Sequence, residues 1–181
     1  NCAAFTNVDG CEADEDAAYA ANAMGAENLA KAAERAGAKL VHVSTDYVFP
    51  GTNPGERVET DEVAPISACS KAFIVRTAWL YGYVGKNFVK TMRRLGAAHD
   101  SITVVDDQLG NPTSANDLAY EVLKLALTEN YGVYHCTNNG TCSWADFAKA
   151  IMDHSGLDCE VVPVTSAQYK QANPQSADRP A

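Results

Sequence analysis

The chain has 181 residues, of which 46% are hydrophobic and 20% are charged, and this is enough for one folded domain with its own core. The formal net charge of −9 disfavours nucleic acid and anionic membranes as partners, because both are bound through basic patches. No apolar run approaches the roughly 18 residues of a transmembrane helix, so no membrane partner is expected.

Helix and strand patterns alternate along the chain. The first is an Ala-rich segment at 14–36, whose early acidic residues, late Lys31 and Arg35 and following Gly37 favour a helix. The elements predicted after it are a strand at 39–44, a strand at 72–77, a helix from Asn87 to about 98, a strand at 101–105, a helix at 114–128, a strand at 132–136, a helix at 144–155 capped by Ser143 and a strand at 160–164. This alternation predicts an α/β fold with a parallel sheet and helices on its faces.

The segment 46–71 interrupts the alternation. It carries Pro50, Gly51 and Pro54 and shows no helix pattern, whereas a crossover between parallel strands needs a dozen or more residues, usually a helix. The chain also opens at Asn1 without the strand on which its first helix would pack. Both features predict that segments of the fold are absent from this sequence.

Six cysteines and four histidines are scattered along the chain. The cysteines show no C-x-x-C pair and no metal-ligand spacing, which predicts reduced thiols in a cytoplasmic protein. His42 and His135 lie within strand patterns and are interpreted as structural. Asp106, Asp107 and Gln108 offer oxygen ligands to a metal, but a polar loop that contacts substrate or another subunit is the favoured interpretation. The sequence therefore predicts no metal site.

A hydroxyl and a carboxylate, on Thr45 and Asp46, directly follow the strand predicted at 39–44. Ligands bind at the carboxyl ends of strands in open α/β sheets, so the two groups are candidates to face a cleft. An Asx-type turn, in which Asp46 accepts from local amides, is the alternative, and spacing alone favours it.

Short blocks of sequence around this motif form an ordered set that spans nearly the whole chain. They are NCAAFTNVD at 1–9, HVSTDYVFPG at 42–51, RTAWLYG at 76–82, KNFVKTM at 86–92, DDQLGNPT at 106–113, GVYH at 132–135, SW at 143–144 and RPA at 179–181. The set resembles the extended short-chain dehydrogenase/reductases, and most nearly the dTDP-4-dehydrorhamnose reductase family.

The resemblance implies a Rossmann-type doubly wound parallel sheet with a smaller C-terminal substrate-binding lobe. Residues 1–181 would form one unit, with 1–77 mainly Rossmann-type and 78–181 mixing Rossmann and lobe segments. Compared with the family, the chain lacks the N-terminal Gly-rich βα unit, the Tyr-x-x-x-Lys helix expected near 67–69 and the C-terminal end. Tyr120 and Lys124 repeat the Tyr-x-x-x-Lys spacing, but an ordinary amphipathic helix accounts for them.

The activity that the resemblance implies is reduction of the 4-keto group of dTDP-4-dehydro-L-rhamnose by NADPH or NADH. Thr45 would be the catalytic hydroxyl that bonds the carbonyl, while the family's catalytic Tyr and Lys have no counterpart here. The cofactor would contact Ala4, Phe5, Thr6 and Val43. A homodimer and a role for Mg²⁺ are left open, since the sequence points to neither.

Substrate contacts are implied for Thr45, Asp46, Trp79, Asn87 and Arg179. For Trp79 a packed aromatic is the alternative, for Asn87 a helix cap and for Arg179 a solvated side chain. Two rival functions also stay open. One is another extended family member, such as a nucleotide-sugar epimerase or dehydratase, and the other is a non-catalytic regulatory subunit similar to the methionine adenosyltransferase β subunit.

Overall fold

The computed structural model describes residues 1–46 and 68–176. The chain divides into two compact units. The first unit comprises Asn1–Thr77 and Ala119–Cys136, and the second comprises Ala78–Leu118 and Thr137–Ala181. The assignment of 1–77 and 78–181 to Rossmann-type and lobe segments stays a prediction.

Helices and short strands alternate through the described residues. In chain order they are α1 (Val8–Ala13), α2 (Glu15–Tyr19), a π-helical turn (Ala20–Met24), α3 (Gly25–Ala36), β1 (Leu40–Thr45), β2 (Ala72–Thr77), β3 (Leu80–Tyr81), α4 (Phe88–Gly96), β4 (Ser101–Val105), β5 (Leu109–Gly110), β6 (Thr113–Ser114), α5 (Ala115–Ala126), β7 (Gly132–His135), β8 (Cys142–Ser143), α6 (Trp144–Ser155), β9 (Glu160–Val164) and α7 (Ser166–Ala172). The helices and strands expected from the sequence are confirmed within about two residues at their ends, apart from the helix at 14–36, which contains the π turn.

The helix expected at 14–36 begins and ends on the residues that its pattern indicated. The Asp14 carboxylate accepts the Ala17 amide hydrogen at 3.0 Å and so caps the amino end of α2. Gly37 ends α3 with a left-handed φ of 63°, a conformation that costs glycine little. The π-helical turn between α2 and α3 was not expected, because an Ala-rich sequence carries no local signal for it.

The first unit is built on a parallel sheet with strand order β1-β2-β7. Its central strand, β2, is almost wholly buried, with Phe73 and Val75 at 0% exposure, which explains its continuous apolar run. Asn1 extends the sheet beyond β1, since its amino nitrogen donates to Val41 O at 2.5 Å and its carbonyl accepts from Val43 N at 3.0 Å. The expected α/β class with a parallel sheet is confirmed.

The second unit packs helices α4 and α6 against the parallel pair β4-β9. Its core is a cluster of small and aliphatic side chains: Met92, Val104, Ala145, Ala148, Ile151, Met152, Cys159 and Val161. Four of these residues recur at helical spacing along α6, which therefore turns one apolar face inward. Within the described ranges, no helix has the length and apolar character that spanning a membrane requires.

Candidate active site

Thr45 and Asp46 lie at the carboxyl end of β1. Thr45 is the last, exposed residue of the strand, and its Oγ1 donates to Oδ1 of Asp46 at 3.0 Å. Thr77 lies beside Thr45 in register at the end of β2, and its buried hydroxyl has no hydrogen-bond partner among the described residues. A buried polar group usually has a partner, so Thr77 is an exception at this edge of the sheet.

The segment before α1 is held against β1. Besides the two backbone bonds of Asn1, its Nδ2 donates to Nδ1 of His42 at 2.9 Å. Burial lowers the pKa of His42, and the donated bond requires an unprotonated Nδ1, so both effects favour a neutral ring. The half-buried Val43 donates its N–H to Asn1 O at 3.0 Å, and its cofactor contact stays a prediction.

An open depression of 480 Å³ lies beside this segment and is lined by Ala3, Ala4, Phe5, Ala17 and Ala21. Four of its five lining residues carry only a methyl group, so the backbone is accessible to a bound molecule. The volume is within the range typical of small-molecule sites. Ala4 and Phe5, predicted from the sequence to contact a cofactor, therefore border a concave surface of suitable size.

Asn22 is a site residue that sequence reasoning missed. It lies in the π-helical turn, and its side chain holds Phe5 from both ends: Oδ1 accepts from Phe5 N at 2.8 Å and Nδ2 donates to Phe5 O at 3.1 Å. The amide thus fixes the backbone of the segment that borders the depression. Asparagine is a weak helix former, but one such residue in an Ala-rich segment does not indicate a contact 17 positions away.

Trp79 lies near the start of the second unit. It has a left-handed φ of 47°, which is rare for a residue with a side chain. Its indole stacks on that of Trp144, with ring centroids 3.5 Å apart and planes 12° apart. Its carbonyl accepts from Thr113 N at 3.2 Å. The packed aromatic and the substrate contact are compatible, because Trp79 is only partly buried.

Asn87 caps α4 and braces the preceding turn. Its Oδ1 accepts from Lys90 N at 3.1 Å and its Nδ2 donates to Gly82 O at 2.8 Å, so both ends of the amide are engaged within the second unit. The cap that the sequence suggested is present, and its substrate contact stays a prediction. Arg179 lies outside the described residues.

The side chains of Asp106, Asp107 and Gln108 form hydrogen bonds with residues at the amino ends of α6 and α7. Asp106 Oδ1 accepts from Ser143 Oγ, the cap of α6, at 2.6 Å. Asp107 accepts from the Ser166 amide at 2.9 Å and from its hydroxyl at 2.6 Å, and Gln108 donates to that hydroxyl at 2.9 Å. The Ser166 hydroxyl lowers the pKa of Asp107. These side chains are engaged in bracing, and no group of three or more metal-ligating residues is found in the described part of the chain.

Comparison with known proteins gives one consistent family. The family profile described as RmlD substrate binding domain matches residues 1–181. The dTDP-4-dehydrorhamnose reductase of Mycobacterium tuberculosis is 45% identical over 98% of this chain and 66% of its own length. A crystal structure of a dTDP-4-dehydrorhamnose reductase from Clostridium acetobutylicum is 48% identical, with a TM-score of 0.90 over 99% of this chain and 68% of that one.

A further solved structure is that of dTDP-4-dehydrorhamnose reductase from Bacillus anthracis in complex with NADP. It is 45% identical, with a TM-score of 0.87 over 93% of this chain and 66% of that one. The Rossmann-type fold class expected from the sequence is confirmed by these likenesses.

The chain spans about two thirds of the length of these relatives. The match to the M. tuberculosis protein runs over 199 positions, more than the 181 residues of this chain, so that relative carries residues inside the matched region that this chain lacks. Where those residues fall, including the helix expected near 67–69, stays a prediction.

Proposed function

The chain belongs to the RmlD substrate binding domain family, and from that premise we propose that its complete protein reduces the 4-keto group of dTDP-4-dehydro-L-rhamnose to give dTDP-L-rhamnose. The observation that carries the proposal is the Thr45 hydroxyl beside the Asp46 carboxylate at the carboxyl end of β1. Relatives named for this activity at 45% and 48% identity support it over an epimerase, a dehydratase or a regulatory subunit.

NADPH or NADH supplies the hydride when bound. Ala4, Phe5 and Thr6 would hold it together with Val43, and the methyl-lined depression beside Ala4 and Phe5 fits a flat ring. Asn22 would keep the Phe5 backbone in place for that contact.

Thr45 is proposed to stabilise the charge that develops on the ketone oxygen during reduction. An O–H that donates to that oxygen lowers the barrier, because it stabilises the negative charge as it develops. The single proton of Oγ1 now points to Asp46 Oδ1, so it must turn from the carboxylate to the ketone. Asp46 is then able to accept from a sugar hydroxyl. The proton that completes the alcohol would come from the tyrosine that the family provides, in the complete protein.

Trp79, Asn87 and Arg179 are the other proposed substrate contacts. Trp79 is a partly exposed aromatic residue, and aromatic side chains suit the apolar parts of a deoxysugar. Arg179 would pair with the diphosphate through a bidentate guanidinium contact. A cytoplasmic location and a homodimer both stay proposals.

The decisive experiment mixes the complete, folded protein with NADPH and dTDP-4-dehydro-L-rhamnose and follows NADPH absorbance and the sugar products. We expect NADPH to be consumed in equal amount to the dTDP-L-rhamnose formed. dTDP-glucose, which has no 4-keto group, is the matched control and should leave NADPH unchanged. An epimerase or dehydratase would convert a sugar nucleotide with no net loss of NADPH, and a regulatory subunit would convert none, so either result contradicts the proposal.

A further inference from the structure

The indole of Trp79 is held between two groups of its own unit. Trp144 stacks on it, with centroids 3.5 Å apart and planes inclined by 12°. Gly110 approaches so closely that a Cβ added there would lie 2.4 Å from Cε2 and 2.6 Å from Nε1 of Trp79. We propose that Trp144 and Gly110 are positioning residues that set the orientation of the Trp79 indole for the sugar ring of the substrate. This inference rests on the proposed function, because that function supplies the sugar.

Trp144 is itself firmly placed. It is the first residue of α6, directly after the capping residue Ser143, which is only 2% exposed. The Ser143 hydroxyl donates to Asp106 and accepts the Asp146 amide hydrogen at 3.0 Å, while the Asp146 carboxylate accepts from Ser143 N at 3.3 Å. A reciprocal cap of this kind fixes the first turn of the helix. Because Trp144 lies on that turn, its ring is a stable surface for Trp79.

Gly110 belongs to the same polar segment as Asp106, which accepts a hydrogen bond from Ser143. Asp106 bonds the cap of α6, and four residues later Gly110 lies against the Trp79 indole. A methyl group at 110 would overlap Cε2, Nε1 and Cζ2, all of which belong to a rigid ring that cannot bend away. The ring would therefore have to leave the Trp144 stack. The segment from Asp106 to Gly110 therefore has two effects: it fixes the helix turn that carries Trp144, and it limits the space open to the Trp79 ring.

The consequence for binding is that the indole is ordered before the sugar arrives. A free tryptophan side chain at φ 47° would have to be fixed when the substrate binds, and that ordering reduces affinity. The stack removes this cost in advance. We therefore expect its loss to raise KM for the sugar nucleotide while kcat and KM for NADPH stay near their original values.

The test compares Gly110→Ala, Trp144→Leu and Trp144→Phe in the complete protein. Ile151→Val is the control, because it loosens the buried face of α6 seven residues after Trp144. Gly110→Ala and Trp144→Leu should each raise KM for dTDP-4-dehydro-L-rhamnose about tenfold, and Trp144→Phe, which keeps a stacking ring, should restore it to within about twofold. Ile151→Val should leave that KM unchanged.

A second readout needs no substrate. Trp79 and Trp144 are the two tryptophans of this chain, and stacked indoles give an exciton couplet in circular dichroism. Gly110→Ala retains both rings, so loss of the couplet there reports displacement of Trp79.

Loss of the couplet with an unchanged sugar KM would overturn the inference, as would an intact couplet in Gly110→Ala. An inactive wild-type protein would instead overturn the proposed function, so the two failures are distinguishable.

Discussion

Thr45 is the residue on which the proposed chemistry depends. Its hydroxyl has one proton, and in the structure that proton goes to Asp46 Oδ1 at 3.0 Å. Serine would keep the proton and lose only a methyl group, whereas valine keeps the shape and loses the donor. The pair of substitutions therefore separates the hydrogen bond from the packing at the end of β1.

Thr45→Val is expected to lower kcat by roughly a hundredfold, since removal of one donor to a developing oxyanion has effects of that order. Thr45→Ser should retain activity within about tenfold of the wild type, because it can still donate. Steady-state kinetics with saturating NADPH measure both. Equal losses in the two variants would show that the side-chain shape, and not the hydroxyl, is required.

At Trp79 a strained backbone is offset by aromatic stacking, and no sequence pattern indicates either. A left-handed φ costs a residue with a side chain about 1–2 kcal/mol, and a stacked aromatic pair contributes about 0.5–1.5 kcal/mol. The Trp144 stack therefore offsets much of the strain at Trp79. The sequence predicted Trp79 as a candidate because of its place in the Arg-Thr-Ala-Trp block, but neither the strain nor its partner was predictable from neighbouring residues.

At the scale of elements, the π-helical turn carries Asn22, the residue that holds the segment proposed to contact the cofactor. Asn22 leaves the regular helix and reaches Phe5, 17 positions earlier in the chain, with two hydrogen bonds. Such turns recur at functional sites because they redirect a side chain. Here the redirected amide fixes the segment that borders the methyl-lined depression.

Asn22→Leu should raise KM for NADPH several-fold, about three to ten, because Phe5 loses both hydrogen bonds and its segment must be ordered on binding. Asn28→Leu, an exposed asparagine of α3, is the matched control and should have no effect. Fluorescence titration with NADPH gives the affinities directly. A change of similar size in both variants would point to general damage to the helix.

The elements also show what the sequence could and could not predict. The strands β2, β4 and β9 and the helix α6 were predicted with correct ends, because β-branched runs, helical spacing and the Ser143 cap are all local signals. The short helices α1 and α7 and the two-residue strands were missed. Their stability comes from distant partners, such as the contact of Asp107 with Ser166, which no pattern of adjacent residues encodes.

At the scale of the whole molecule, the pH dependence of folding follows from groups in different environments. Burial lowers the pKa of His42, while hydrogen bonds from Ser70 lower the pKa of the exposed Glu34 carboxylate. Both groups bind more protons when the chain unfolds, so both make the free energy of unfolding fall as pH falls. The His42 imidazole lowers the free energy of unfolding as pH falls below its unfolded pKa of about 6.5. The Glu34 carboxylate does so only below its unfolded pKa of about 4.5.

The free energy of unfolding should therefore decrease between pH 7.5 and pH 5.5 in the wild type and decrease less in His42→Gln. The glutamine can still accept the Asn1 hydrogen bond and does not titrate. His154→Gln, at an exposed position of α6, should keep the wild-type pH dependence. Urea unfolding followed by circular dichroism at the two pH values measures the difference. Identical pH dependence in His42→Gln and the wild type would contradict it.

The contacts of the segment from Asp106 to Gly110 also limit where residues can be inserted or deleted. Within five consecutive positions it contacts the cap of α6, the first residue of α7 and the indole of Trp79. Adding or deleting one residue here would place every later side chain out of reach of its partner, although such changes are ordinarily tolerated in loops. The tolerance of the second unit to insertions should therefore be lowest in this segment, although only Leu109 and Gly110 belong to a strand.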